Sequence, residues 1–377
     1  MKIRSLSSRA ARSGRRSGGF SLVELMVGVG IGLLCTLVIA TVLGATEGRR
    51  RGTMQGSDMQ VSGSLALYNL QREIATAGYG FANDGAEVGC QLQAKYNGAA
   101  VTALPSVLAP VFVTEGANGA SDQVRVLASS KFVNSNPAAL STVGYTAPSR
   151  IILPYYAPND TVYNVASSLS ISKGDLLVAI AKDTTQACGL FQVTGDPTPT
   201  TVPRANDPTH WNAVGHPSQT SAEWSFLVNL GNIIDVNFTA DADGKLTASR
   251  LDSTTLTRTQ TELQSNIVLM KAMYGRDTNL DKIVDIYDYT TPTNNAEWLN
   301  VYTVRLAVVA RSAQYEKEEV TTANPLWDVG KSTTVAGSVD CGSSKCVELK
   351  IDGGSDWKHY RYKVFDTVVP LRNARWR

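Results

Sequence analysis

The sequence predicts an α+β protein in which one long N-terminal helix packs on a β-rich globular head. Three observations carry this fold class. Leu25 to Ala45 is a run of 21 residues without a charge, long enough to cross a bilayer as a helix. No proline occurs between residues 1 and 104, so a helix begun there can continue into more polar sequence. Beyond residue 80, short runs rich in Val, Ile, Leu and Tyr alternate with Gly, Pro, Asn and Asp clusters, the pattern of strands and turns.

The first element is a leader with its cleavage signal in an unusual place. An ordinary secretory signal puts the cut after its apolar core, so the core leaves with the leader. Here Gly18-Gly19 precedes the apolar run. A cut after Gly19 removes residues 1–19 and leaves Phe20 at the first mature position and Glu24 at the fifth. The 358 residues that remain are enough for one large or two modest domains. The leader carries Lys2, Arg4, Arg9, Arg12, Arg15 and Arg16 and no acid, so its removal takes the formal net charge from +2 to −4. A mildly acidic mature chain argues against a broad nucleic-acid surface, although a local patch such as Arg372, Arg375 and Arg377 is able to touch phosphate. The basic leader keeps the N-terminus in the cytoplasm and sends the chain beyond the helix across the membrane.

The helix comes next, with a membrane half over residues 20–46 and an amphipathic half over 47–78. Glu24 is an expensive group in hydrocarbon and needs a partner. A mature N-terminal amine, supplied by a neighbouring subunit, fits that need. A helix from Phe20 to Ala77 would be about 87 Å long. Met59, Gly63, Leu67, Leu70, Ile74 and Ala77 fall at steps of three or four, a face for packing on the head, and Gly78 and Gly80 supply the stop. Small residues recur at every fourth position, Gly28, Gly32, Thr36, Ala40, Gly44, Gly48, Gly52 and Gly56, allowing close helix approach at the cost of weak helix propensity.

The head occupies residues 79–377. Predicted strands are Gln123 to Ala128, Arg150 to Tyr156, Asp175 to Ala181, Leu190 to Thr194, Ile233 to Thr239, Lys245 to Arg250, Val301 to Ala310 and Tyr360 to Val369. Asp241-Ala-Asp-Gly244 reads as a hairpin turn. Leu263, Ile267, Met270 and Tyr274 have helical spacing and predict one helix within the head, and the proline-rich stretch from Asp196 to Pro217 predicts a surface loop. Cys35 lies in the membrane run, whereas Cys90, Cys188, Cys341 and Cys346 fall in the exported part, where disulfides form. Cys341 and Cys346 span a closed hairpin loop, which leaves Cys90 for Cys188 by elimination.

Three histidines and no nucleotide, hydrolase or dinucleotide fingerprint argue against an enzyme. One constellation does carry chemistry. Asp277, Asn279, Asp281, the Ile283 carbonyl and Asp285, with Asp288 beyond, place oxygens at alternate positions of a tight loop, the arrangement that binds Ca²⁺. Lys282 stands where such loops favour glycine, and Asp288 where an EF-hand has glutamate. A solvated Asp/Asn-rich turn is the other use of this composition.

The leader residues Gly18-Gly19-Phe20-Ser-Leu-Val-Glu24 resemble the class III leader of type IV pilins and pseudopilins. The resemblance implies cleavage by a prepilin peptidase after Gly19, N-methylation of Phe20 and a role for Glu24 in assembly. Asn266 to Gly275 and Phe365-Asp-Thr-Val-Val-Pro-Leu-Arg-Asn373 look like their counterparts in PilW-type minor pilins. That implies a pilin-like fold and a single-pass inner-membrane protein whose periplasmic head is later carried to the tip of an extracellular pilus. It further implies work with other minor pilins, major pilins and a large tip adhesin in pilus assembly, cell adhesion and twitching motility. A minor pseudopilin of a type II secretion system and a DNA-uptake component are the alternatives. Secretion pseudopilins of the K type usually lack the mature Glu that Glu24 supplies.

Overall fold

The computed structural model describes residues 19–82, 88–131, 149–150, 160–165, 167–181, 183, 185–207, 210–213, 224–241 and 243–374. The chain divides into two compact units, Met1–Met54 and Gln55–Arg377. One helix, α1 (Leu22–Ala75), contributes to both.

In the first unit, Leu22–Gly44 is long and apolar enough to cross a membrane by length and composition. Its large apolar side chains, from Leu22 to Leu43, are exposed. The hydroxyls in and just after this stretch turn back on the helix: Thr36 donates to the Leu33 carbonyl at 2.9 Å, Thr41 to Val38 at 2.8 Å and Thr46 to Val42 at 3.0 Å. No threonine there leaves a polar group unmet in an apolar medium.

In the second unit, the part of α1 from Gln55 buries Met59, Ser62, Gly63, Ala66, Leu70 and Ile74, with Leu67 half-buried. Ala77 continues the buried face beyond the helix. The opposite side leaves Val61, Leu65 and Tyr68 exposed. The stop works through backbone geometry. Gly78 and Gly80 take φ of +74° and +83°, a region open to glycine, and the Gly78 amide donates to the Leu127 carbonyl at 2.8 Å. Asn373 donates from Nδ2 to the carbonyls of Thr76 and Ala77 at 3.2 and 3.1 Å, satisfying acceptors that a helix end would leave unmet.

Among the described residues, three five-stranded sheets build the head. The first runs Leu92–Gln93, Cys188–Gln192, Leu176–Ala181, Trp224–Gly231, Ser149–Arg150. The second runs Arg258–Ser265, Lys245–Leu251, Ile234–Ala240, Gln123–Ala128, Val111–Thr114. The third runs Thr334–Val335, Ile286–Asp288, Ile267–Arg276, Val301–Arg311, Tyr362–Pro370. A smaller ribbon of Leu326–Gly330, Ser344–Glu348 and Val339–Cys341 accompanies them. The main core joins α1 to all three sheets through residues such as Leu70, Ile74, Val178, Phe238, Met270 and Leu306. A second cluster, around Tyr163, Phe191 and Leu227, covers the other face of the first sheet. A third does the same for the third sheet, where Leu269, Met273, Ala307 and Val309 meet Trp327, Val329 and Leu349.

Most predicted strands are present within a few residues, and Asp241 to Gly244 closes the hairpin between Ile234–Ala240 and Lys245–Leu251. Residues 151–156 of the expected strand from Arg150 lie outside the described residues. The predicted helix at Leu263 to Tyr274 is not there: the segment is the end of Arg258–Ser265 and the start of Ile267–Arg276. The reason is burial on both sides. Ile267, Met270, Ala272 and Tyr274 enter the main core while Leu269 and Met273 enter the third cluster, and the register shifts between Ile267 and Leu269. A strand apolar on both faces, with a shift in its alternation, mimics a helical period.

Candidate assembly and cation sites

The candidate assembly segment begins at the start of α1. Gly18 lies outside the described residues. Gly19 has open space around it, and Phe20 is 81% exposed. Ser21 caps the helix: its Oγ accepts the Glu24 amide at 3.3 Å, and its carbonyl accepts the Leu25 amide at 3.1 Å. Ser21 and Glu24 thus stand in the S-x-x-E register of a capping box, a local role that the leader motif alone does not reveal. The acidic side chain in the first turn also complements the helix dipole. Glu24 is exposed and has no ion-pair partner among the described residues.

The four cysteines beyond α1 form two disulfides, Cys90–Cys188 and Cys341–Cys346, and Cys35 is free. The first ties the segment after α1 to the first sheet, where Leu92 pairs with Cys188 in parallel register. The second closes the turn between Val339–Cys341 and Ser344–Glu348.

The loop after Ile267–Arg276 is organised around Asp277, which is buried while Thr278 to Ile283 are exposed. Asp277 Oδ1 accepts the amides of Leu280 at 2.6 Å and Asn279 at 3.2 Å, and Oδ2 accepts that of Lys282 at 2.7 Å. Lys282 takes φ of +68°, so the chain makes the turn that favours glycine with a lysine in place. Asp281 accepts the Ile283 amide at 2.8 Å. Asp285 accepts the Thr278 amide at 2.7 Å and its hydroxyl at 2.9 Å, and these bonds hold its carboxyl below the usual range. Asn279 bridges to both Asp281 and Asp285 through Nδ2. Asp288 is placed otherwise: it lies in the strand Ile286–Asp288 and pairs with Arg276. Among the described residues, no three His, Cys, Asp or Glu side chains converge as a metal-holding group. The loop gathers its oxygens by donating backbone amides to them.

Two buried carboxylates, Asp122 and Asp235, have ion-pair partners far from them in the chain, a relationship that no sequence motif marks. Lys271 donates from Nζ to Asp122 Oδ1 at 2.7 Å, both side chains being buried. Asp235, also buried, is held by Arg125 and by Arg258, the latter at 2.8 Å. His210 bonds Asp207 at the surface, His359 stacks on Tyr315, and His216 lies outside the described residues.

A family model described as Type IV Pilus-assembly protein W matches residues 234–373. No curated protein and no solved structure matches the chain. The matched segment begins with the strand Ile234–Ala240 and contains the whole third sheet, the loop at 277–288 and the Cys341–Cys346 bridge. It also receives α1: Gln264 bonds Ser62, Lys363 bonds Gln60, and Asn373 bonds the helix end. This part of the chain is PilW-like, which supports a role related to type IV pilus assembly.

Proposed function

We propose that the chain is a minor pilin that primes type IV pilus assembly and takes a place in the tip complex, supporting adhesion and twitching motility. The observation that carries this reading is one helix serving two surroundings. Its Leu22–Gly44 stretch suits a bilayer, and its Gln55–Ala75 stretch is seated on the PilW-like segment. In this reading a prepilin peptidase cuts after Gly19, and the new Phe20 amine is methylated. Glu24 then pairs with the N-terminal amine of a neighbouring pilin, because an unpaired carboxylate is costly in hydrocarbon. The protein begins in the inner membrane with its head in the periplasm and ends in the filament beside other minor pilins, major pilins and a large adhesin. Its role is structural, not catalytic.

The test combines mass spectrometry with a pilus count. The mature protein should begin at methylated Phe20. Deleting the protein should lower the number of surface pili. Glu24→Ala should leave cleavage and membrane residence intact while depleting the protein from sheared filaments. Normal piliation in the deletion strain, with loss of protein secretion instead, would favour a secretion pseudopilus.

A further inference from the structure

Arg49, Arg50 and Arg51 are consecutive residues of α1, five to seven positions past Gly44, where the apolar stretch ends. At ~1.5 Å per residue they stand about 7 to 10 Å along the helix from that end, whereas the polar zone on each side of the hydrocarbon is on the order of 5 to 7 Å deep. Arginine stems reach back along a helix toward an interface, so this gap is within reach. Between Glu24 and Asp58 the only other charge is Glu47, which leaves two net positive charges at this end. Arg50 is exposed.

We infer that Arg49, Arg50 and Arg51 form a binding site for anionic phospholipid headgroups on the exported side of the inner membrane. The inference rests on the membrane-anchor part of the proposed function. Guanidinium groups suit phosphate because they present paired donors in a fixed plane. Basic residues beside a membrane span are disfavoured on the exported side. The six basic residues of the leader outnumber these three and still set the orientation. Once the leader is cut away, the triad is the one basic cluster flanking the apolar stretch. It then fixes the depth of the helix, with Glu24 near one face and the arginines in the headgroups of the other, until the subunit is drawn into a filament.

The full-length chain and the triple variant Arg49→Gln, Arg50→Gln, Arg51→Gln are placed in nanodiscs of phosphatidylcholine doped with phosphatidylglycerol. The lipids that remain bound on release are then weighed by native mass spectrometry. The leader contributes equally to both proteins, so the triad is read from their difference. Phosphatidylglycerol should be enriched on the wild type over the variant by on the order of tenfold, and the difference should shrink as salt rises. Equal enrichment on both overturns the lipid site while leaving the anchor intact; it is the outcome expected if the arginines instead pair with acidic side chains of a neighbouring subunit. Failure of both proteins to enter any disc overturns the anchor and the lipid site together.

Discussion

Gly63 of α1 lies against the ring of Phe365 so closely that a Cβ built on it would stand 2.2 Å from Cε2. Phe365 belongs to Tyr362–Pro370, at the edge of the third sheet, and its ring also lies under the Lys363 ammonium, 5.4 Å from the centroid. Glycine is thus the residue that lets helix and strand meet.

Gly63→Ala should therefore lower stability despite its better helix propensity. Alanine gains about 1 kcal/mol over glycine within a helix, but forcing a methyl into a packed contact costs about 1 to 3 kcal/mol. A net loss of up to about 2 kcal/mol should appear as a lower denaturant midpoint. In a Phe365→Ala background the obstacle is gone, and Gly63→Ala should become stabilising. A loss of equal size in both backgrounds would show that the ring is not the cause.

The two disulfides should differ in worth because they close loops of different length, 98 residues apart in sequence for Cys90–Cys188 and 5 for Cys341–Cys346. Loop-closure entropy gives about 5 kcal/mol for the first and about 2 for the second. Replacing Cys90 and Cys188 by serine should lower the melting temperature well below that of the Cys341, Cys346 double serine variant. Equal losses would mean that local packing outweighs chain entropy.

Much of this architecture is legible in the chain, and the parts that are not have identifiable causes. The buried face of α1 can be read from Met59, Leu70 and Ile74, because one side of that helix meets protein while the other does not. The hairpin at Asp241 to Gly244 can be read because its residues suit the turn, and Gly244 does take φ of +78°. Ile267–Arg276 misleads, since apolar side chains on both of its faces erase the alternation that marks a strand. Ser21 and Glu24 carry the S-x-x-E signature of a capping box, which the resemblance of the same residues to a leader overshadows. The Lys271–Asp122 and Arg258–Asp235 pairs join residues 149 and 23 positions apart, a pairing that no local pattern encodes.

Lys271 and Asp122 should be worth most as a pair. Removing one partner leaves the other charge buried, which costs about 3 to 5 kcal/mol, so Lys271→Met and Asp122→Asn should each lower the urea midpoint strongly. The double variant should recover part of the loss, because no charge is left unpaired; the recovery is incomplete because Gly116 and Ala272 donate to different oxygens of Asp122 and asparagine offers one acceptor oxygen. Burial pushes Asp122 above its ordinary 3.8, against the pull of those amides and of Lys271. A carboxyl raised on folding holds its proton more tightly in the folded state. Its contribution is fully present below about 3.8 and is lost as pH rises through the folded value. Asp122→Asn should remove that component from the pH profile, and an unchanged profile would assign it elsewhere.

The loop from Asp277 to Asp285 should bind Ca²⁺ through Asp277, Asn279, Asp281, the Ile283 carbonyl and Asp285. Backbone amides already turn these side chains toward the loop. A carboxylate has about four lone-pair sites; Asp277 gives two on Oδ1 and one on Oδ2 to amides, which leaves room for a cation at Oδ2. Competition with those amides sets the affinity at the weak end, about 10⁻⁴ to 10⁻³ M. At ten times the dissociation constant, binding would add about 1.4 kcal/mol, a measurable rise in melting temperature for the full chain. Asp281→Asn should reduce the rise because Asp281 is exposed and its loss spares the buried Asp277. Asp288→Asn should leave it unchanged, since Asp288 is engaged by Arg276. Lys282→Gly should increase both stability and affinity, because lysine holds φ of +68° at a cost of about 1 to 2 kcal/mol that glycine does not bear. No thermal shift at millimolar Ca²⁺, in the wild type or with Lys282→Gly, would leave the loop as an amide-capped acidic turn.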